Sequence, residues 1–215
     1  GRGKRRVITC KNEHPSVYAA VLSLDREPDV EPVLIGCTKD GAADLGELEA
    51  ALTEDTALVS LMHVNNETGA INDIETAAAL IHRLAPGALF HVDGVQAFCK
   101  LPFFRVPCDL YSISAHKFHA PKGVGALYVK NGVKFAGGQI GGGQEKGMRS
   151  GTTNVPGILG LDAALALCRA GQPDWLANVR ACKIRLAEAL LRIPDAVVNG
   201  PAPEDGAPHI LNVSF

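Results

Sequence analysis

The feature that most constrains the fold is a regular alternation of short apolar runs with segments of helical periodicity. The runs predict strands at 7–10, 32–36, 57–63, 88–93, 110–114, 126–130 and 210–215. The segments between them predict helices at 13–24, 44–52, 73–84, 154–170 and 173–192. Strands that alternate with helices at this pitch indicate βαβ units, and therefore an α/β class with a mostly parallel sheet and flanking helices.

The composition of the 215-residue chain is that of an ordinary globular protein, with 47% hydrophobic residues. It has 21 Lys and Arg against 23 Asp and Glu, a net charge of −2. Nucleic-acid and membrane-surface binders show a basic excess, so this balance argues against both partners. No apolar run approaches the roughly 20 residues that span a bilayer. No secretory signal follows the basic start, and we therefore expect a cytoplasmic protein.

The six cysteines form no C-x-x-C pair and match no zinc spacing, so we predict free, buried thiols and no bound metal. The chain begins with Gly1 and ends on a strand-like N-V-S-F, and we expect it to be a piece of a longer protein. At roughly 150 residues per domain, its length predicts one large domain or one and a half.

Polar side chains follow three successive predicted strands. They are Asn66 after 57–63, Asp93 and Gln96 at and after 88–93, and Ser114, His116 and Lys117 at and after 110–114. Ligands of open α/β sheets bind at the carboxyl ends of the strands. These amides, hydroxyl, carboxylate, imidazole and amine therefore predict a pocket at one edge of the sheet.

Each candidate also has an ordinary structural interpretation. Lysines are mostly solvated, but one in a polar pocket can form a Schiff base with an aldehyde, or bind phosphate as a point charge. Lys117 and, in the next turn, Lys122 compete for such a role. Asp93 can cap a helix, or hold a pyridinium nitrogen protonated. His14 can be an unremarkable first-turn residue, or its ring can lie against an aromatic cofactor.

A glycine-rich run at 141–154 leads into a predicted helix and ends in G-T-T-N. Hydroxyls and amides at a helix start can bind phosphate, although the run is neither a Walker loop nor a dinucleotide fingerprint. A flexible loop with a helix cap is the alternative.

Six motifs, in order across nearly the whole chain, together resemble the cysteine desulfurases. These are pyridoxal-phosphate (PLP) enzymes of the class V aminotransferase group, of the NifS and IscS type. The motifs are N-E-H at 12–14, H-V-N-N-E-T-G at 63–69, H-V-D-G-V-Q at 91–96, S-I-S-A-H-K-F at 112–118, G-G-G-Q-E-K-G-M-R-S-G-T at 141–152 and G-A-P-H-I-L-N-V-S-F at 206–215. The resemblance implies the PLP-dependent transferase fold (the aspartate aminotransferase type, fold type I) and a homodimer. Residues 1–170 would be the PLP-binding large domain without its N-terminal segment, and 171–215 a linker helix and the start of a small α+β domain.

The resemblance also implies a role for each matching residue. Lys117 would bind the cofactor covalently and move the substrate α-proton, and His14 would stack on the cofactor ring. Asp93 would pair with the pyridinium nitrogen. The remaining roles are Gln96 and Asn66 beside the phenolic oxygen and the substrate, Ser114 and His116 at the phosphate, and Thr152 at the phosphate of the other subunit.

The implied reaction converts L-cysteine to L-alanine and transfers the sulfur as an enzyme persulfide. The sulfur would serve iron–sulfur cluster or other thio-cofactor biosynthesis, with a scaffold protein as acceptor. The family's catalytic cysteine, its substrate-carboxylate arginine and its N-terminal phosphate segment have no counterpart in these 215 residues. We therefore expect this chain alone to be inactive.

Other functions stay open at this point. A selenocysteine lyase, a cysteine sulfinate desulfinase or another class V aminotransferase-type enzyme would share most of the motifs. A non-catalytic scaffold subunit would keep the fold, although the intact Lys117, Asp93 and His14 argue against it. A metal-dependent hydrolase lacks the ligand spacing it would need.

Overall fold

The computed structural model describes residues 5–102, 105–134 and 137–215. The strands are β1 Arg6–Cys10, β2 Glu31–Ile35, β3 Thr56–Met62, β4 Leu89–Asp93, β5 Leu110–Ser114, β6 Gly125–Val129, β7 Val197–Val198 and β8 Val213–Ser214. The α-helices are α1 Pro15–Ser23, α2 Leu45–Ala51, α3 Ile74–Leu84 and α4 Val155–Leu190. Single 3₁₀ turns cover Leu24–Arg26, Ala115–Phe118 and Glu145–Gly147.

Six of these strands form one sheet in the order β2-β1-β3-β4-β5-β6. Strands β1 to β5 run parallel, and β6 pairs with β5 in the antiparallel direction. The predicted α/β class and mostly parallel sheet are therefore confirmed. The strand order places the carboxyl ends of β1, β3, β4 and β5 next to one another.

The main core lies between this sheet and the helices α2 and α3. Strand residues such as Ile8, Val59 and Val92 are fully buried there, which explains why interior parallel strands read as continuous apolar runs. Helix α3 begins where the Asp73 side chain accepts the backbone N–H of Thr76 at 2.9 Å.

The prediction of two helices at 154–170 and 173–192 was wrong, because α4 is one helix through Pro173. An interior proline costs about 3 kcal/mol, since it removes a hydrogen bond and crowds the preceding turn. Packing offsets this cost. Ala164 and Cys168 are buried on one side of the proline, and the Gln172 side chain donates to the Leu101 carbonyl at 2.8 Å. The domain boundary at residue 170 falls within α4 and stays a prediction.

The last predicted strand, at 210–215, was too long, because only Val213–Ser214 pairs, with β7. All six cysteines are free. The prediction of buried thiols is confirmed for Cys10, Cys99 and Cys168, whereas Cys37 and Cys182 are exposed. Among the described residues, no helix is both long and apolar enough to cross a membrane.

Candidate active site

Seven of the eight predicted site residues lie at one edge of the sheet, where the carboxyl ends of four neighbouring strands meet. They are His14 beyond β1, Asn66 beyond β3, Asp93 and Gln96 at and beyond β4, and Ser114, His116 and Lys117 at and beyond β5. The edge thus collects the six residues that the strand pattern assigned to it, together with His14. Their individual roles stay predictions.

Two carboxyl groups, Glu13 and Asp93, lie close enough at this edge to interact; we call them the carboxyl pair. Both are buried. The Glu13 Oε1 accepts the Met62 backbone N–H at 2.6 Å, while its Oε2 has no hydrogen-bond partner in the described part of the chain. Burial, and then the nearby Asp93 charge, raise the pKa of Glu13 to about 8. Glu13 is therefore largely neutral at pH 7 and adds no second negative charge beside Asp93.

Asp93 has the turn-capping contact that its structural interpretation required. Its Oδ1 accepts the Val95 backbone N–H at 2.9 Å, as in an Asx turn. The other carboxylate oxygen accepts no hydrogen bond from residues 5–102, 105–134 or 137–215. Because a carboxylate has two oxygens, this turn contact leaves one of them for a ligand.

Gly94 keeps the chain close to the sheet between Asp93 and Gln96. A Cβ atom at this position would overlap the ring of Tyr111 on the neighbouring strand. The Tyr111 hydroxyl in turn lies 3.3 Å from the His63 Nδ1. The turn that presents the two site residues therefore requires glycine.

His14 is the N-cap residue of α1. Its Nδ1 accepts the Ser16 backbone N–H at 3.2 Å and lies 2.7 Å from the Ser16 hydroxyl. Since Nδ1 accepts, the neutral ring has its proton on Nε2. The imidazole is exposed, so the capping contact fixes the ring without covering it.

The tight turn after β5 separates apolar from polar side chains. Ala115 and Phe118 are buried against α4, whereas His116 and Lys117 are exposed. Ser114 begins the turn with no side-chain capping bond to a described residue, so its hydroxyl is available to a ligand.

Thr152 is the one predicted residue that does not lie at or directly beyond the carboxyl end of a sheet strand. It is exposed in the loop that leads into α4. The cap of α4 is Asn154, whose Oδ1 accepts the Gly157 backbone N–H at 3.1 Å. The capping alternative for this loop is therefore correct for Asn154, and Thr152 is not used in it.

Sequence reasoning missed three residues at this edge, namely Glu13, Lys100 and His209. The Lys100 Nζ donates to the Gln96 Oε1 at 2.7 Å. Burial, and then the positive charge of Lys117, lower the pKa of Lys100 to about 8. We call Lys100 and Lys117 the amine pair. Two features of the sequence could have identified them. Lys100 follows Gln96 by four residues, and Glu13 and His209 lie within the motifs at 12–14 and 206–215.

The parallel sheet and the polar groups at its edge are those of a known family of α/β proteins. The family model described as "Aminotransferase class-V" matches residues 2–215, and the chain belongs to that family.

Within this family, the chain is similar to proteins named cysteine desulfurases. The chain is 43% identical over 215 residues to the "Cysteine desulfurase IscS" of Edwardsiella ictaluri, covering 98% of this chain and 52% of that protein. It is also 43% identical to the "Cysteine desulfurase" of Gluconacetobacter diazotrophicus, covering 99% of this chain and 53% of that protein. A solved NifS-like protein superimposes with a TM-score of 0.93 at 37% identity, covering 99% of this chain and 58% of that one. The chain thus spans about half the length of the curated relatives it matches.

Proposed function

We propose that this chain is the cofactor-binding part of a PLP-dependent cysteine desulfurase. The observation on which this rests is the position of Lys117 relative to Asp93. The exposed amine follows β5, the buried carboxylate ends β4, and the two strands pair directly. A primary amine and a buried carboxylate at adjacent strand ends are the groups that bind the aldehyde and the ring nitrogen of PLP.

The other side chains at the edge also suit this cofactor. The Asp93 oxygen that accepts no hydrogen bond from a described residue can accept the proton of a pyridinium nitrogen in a hydrogen bond. The exposed His14 ring offers a flat face for stacking. Ser114 and His116 offer a hydroxyl and an imidazole for the phosphate, and we infer that Thr152 adds a hydroxyl from the second subunit of a homodimer.

When bound, PLP withdraws electrons from the substrate α-carbon. Two residues then handle protons in different places. The Lys117 amine takes up the α-proton of L-cysteine, and Asp93 keeps the ring nitrogen protonated. Asn66 and Gln96 are neutral hydrogen-bonding groups that orient the substrate and the phenolic oxygen.

Sulfur transfer needs an enzyme thiolate. The thiolate forms a bond to the substrate sulfur while the carbon–sulfur bond breaks, and its electron pair stays on the carbon. A proton added to that carbon gives L-alanine, and the enzyme holds a persulfide. Burial raises the pKa of Cys10 to about 11 and that of Cys99 to about 12. Such thiols are poor nucleophiles at neutral pH, so we exclude both from this role.

The test is to reduce the full-length protein with borohydride in the presence of PLP and to map the modified peptide. We expect modification at Lys117, and none in Lys117→Ala, which should keep its circular dichroism spectrum. Lys122→Ala, in the next turn, is the matched control and should label like the wild type. Labelling elsewhere, or in Lys117→Ala at the same peptide, would contradict the proposal.

The substrate is tested separately, by measuring alanine and sulfide from L-cysteine beside selenocysteine and cysteine sulfinate. Preference for cysteine supports the desulfurase, and preference for either analogue favours the related lyase or desulfinase. A cytoplasmic location and a sulfur-acceptor scaffold protein for iron–sulfur or thio-cofactor assembly belong to the same proposal.

A further inference from the structure

The Gln96 side chain is held by two hydrogen-bonding groups at its oxygen. The Lys100 Nζ lies 2.7 Å from Oε1, and the His209 Nε2 lies 3.4 Å from the same atom. An ammonium group has donors only, so the atom it contacts must be the amide oxygen. Lys100 therefore fixes which end of the Gln96 amide is the oxygen.

This orientation leaves the nitrogen end of the amide for a ligand. The Gln96 Nε2 donates no hydrogen bond to another described residue. If the amide were reversed, its N–H groups would face an ammonium group, which cannot accept them. Lys100 thus holds the Gln96 amide with its oxygen engaged and its N–H groups available as donors, where a neutral amide could otherwise present either end.

The surroundings make the arrangement rigid. Ala97, Leu101 and Ala207 are buried around the cluster in one apolar group. Burial, and then the charges of Lys100 and Lys183, lower the pKa of His209 to about 3, so its ring is neutral. The His209 Nδ1 is buried without a hydrogen-bond partner among the described residues. Side chains closed in this way have little freedom to reorient.

The charges around Gln96 favour an anionic ligand. Lys100 contacts it, Lys117 is close enough to Lys100 to lower its pKa, and Lys183 acts in the same way on His209. None of the three lysines forms an ion pair with a carboxylate in the described chain. Lys183 donates instead to the Ala207 carbonyl at 2.9 Å. Amines that form no ion pair with a described residue suit a ligand that brings a negatively charged oxygen.

We propose that Lys100 is a positioning residue, which holds the Gln96 amide with its oxygen inward and its N–H groups presented to the phenolic oxygen of the cofactor. The proposal rests on the PLP site proposed above and names a residue that does not itself touch the cofactor. His209 assists as a second donor to the same oxygen and ties residues 206–210 to the site.

The test compares two cofactors in the full-length protein, namely PLP and 3-deoxypyridoxal 5′-phosphate, which lacks the phenolic oxygen. We measure the dissociation constant of each by absorbance titration for the wild type, Lys100→Met and Lys100→Arg. Lys100→Met should weaken PLP binding about tenfold, as expected for one misdirected hydrogen bond. It should weaken binding of the analogue far less. Lys100→Arg keeps a donor and should bind PLP within about threefold of the wild type.

The outcomes separate positioning from simpler roles. If Lys100→Met weakens both cofactors equally, Lys100 acts only through its charge or through packing, and the inference is wrong. If it weakens neither, Gln96 needs no such support, and the inference is again wrong. If the wild type binds neither cofactor, the PLP proposal itself fails.

Gln96→Glu provides a second variant should Lys100→Met fold poorly. It retains an oxygen for Lys100 but replaces the N–H donors with a second oxygen. We expect PLP affinity to fall at least tenfold while the analogue is affected less. Equal losses for the two cofactors would count against a donor at residue 96.

Discussion

The carboxyl pair lies at the ends of β1 and β4, and the amine pair lies beyond β4 and β5, so the two pairs flank the same edge of the sheet. In each pair one residue, Glu13 or Lys100, has its pKa shifted toward 7, mainly by burial. The pKa of Glu13 rises to about 8 and that of Lys100 falls to about 8. Because both values lie above 7, Glu13 is largely neutral at pH 7 while Lys100 is still largely protonated. At pH 7 burial therefore removes the negative charge of Glu13 but leaves most of the positive charge of Lys100, and this balance suits a phosphorylated cofactor.

The largest effect on the contrast between the carboxyl pair and the amine pair is expected from a substitution of Glu13. The unfolded chain loses this proton near the ordinary value of 4.5, whereas the folded protein keeps it to about 8. The unfolded state therefore binds fewer protons between these values, and stability falls as pH rises through that window. Glu13→Gln keeps the acceptor for the Met62 N–H and removes the titration. Above pH 8 we expect it to be more stable than the wild type by up to about 5 kcal/mol.

The measurement for Glu13→Gln is urea unfolding of the full-length protein at several values between pH 5 and pH 9. The exposed Glu67→Gln, beyond β3, is the control and should follow the wild type. If the Glu13→Gln and wild-type curves stay parallel across this range, Glu13 ionises normally in the folded protein.

Asp93→Asn tests the other member of the carboxyl pair. The amide keeps an oxygen for the Val95 N–H, so the turn should survive while the negative charge is lost. Removing one preorganised electrostatic contact from an active site costs about a hundredfold in kcat, or about 3 kcal/mol. The measurement is kcat for alanine formation by the full-length protein, with the exposed Asp40→Asn as control. An unchanged kcat would remove Asp93 from the site.

The smallest effect is expected from Lys100→Met on stability. Below pH 8 the folded protein holds a partly buried ammonium group, and this cost disappears as pH rises from about 8 toward the ordinary 10.5. Because solvent screens a partly exposed charge, we expect the variant to be more stable than the wild type by only about 1 kcal/mol at pH 7, and equal to it near pH 10. Urea unfolding of the full-length protein measures the difference, with Lys122→Met as control. A variant less stable at pH 7 would show that Lys100 stabilises the fold.

The parallel sheet could be predicted because its interior strands are apolar on both faces and alternate with amphipathic segments. The edge that collects Asp93, Ser114 and Lys117 followed from that alternation, since parallel strands end on the same side. Strand residues therefore indicated both the fold and the position of the site.

The remainder depends on contacts distant in sequence. Gly171 and Pro173 predict a break, and packing with Leu101 and the turn after β5 explains the continuous helix. Lys100 resembles a surface lysine until its contact with Gln96 is seen. Periodicity cannot show such contacts, because it describes neighbours along the chain and not across the molecule.

The contact between Gln96 and His209 joins residues 113 positions apart. During synthesis the five parallel strands can pair once residue 114 has left the ribosome, but the Gln96 amide gains its second donor only when residue 209 has emerged. Contacts of such long range form slowly, because the closure entropy of the intervening loop must be overcome first. We therefore expect the sheet to assemble early on the nascent chain, and the pocket to become competent for its cofactor as one of the last events of folding.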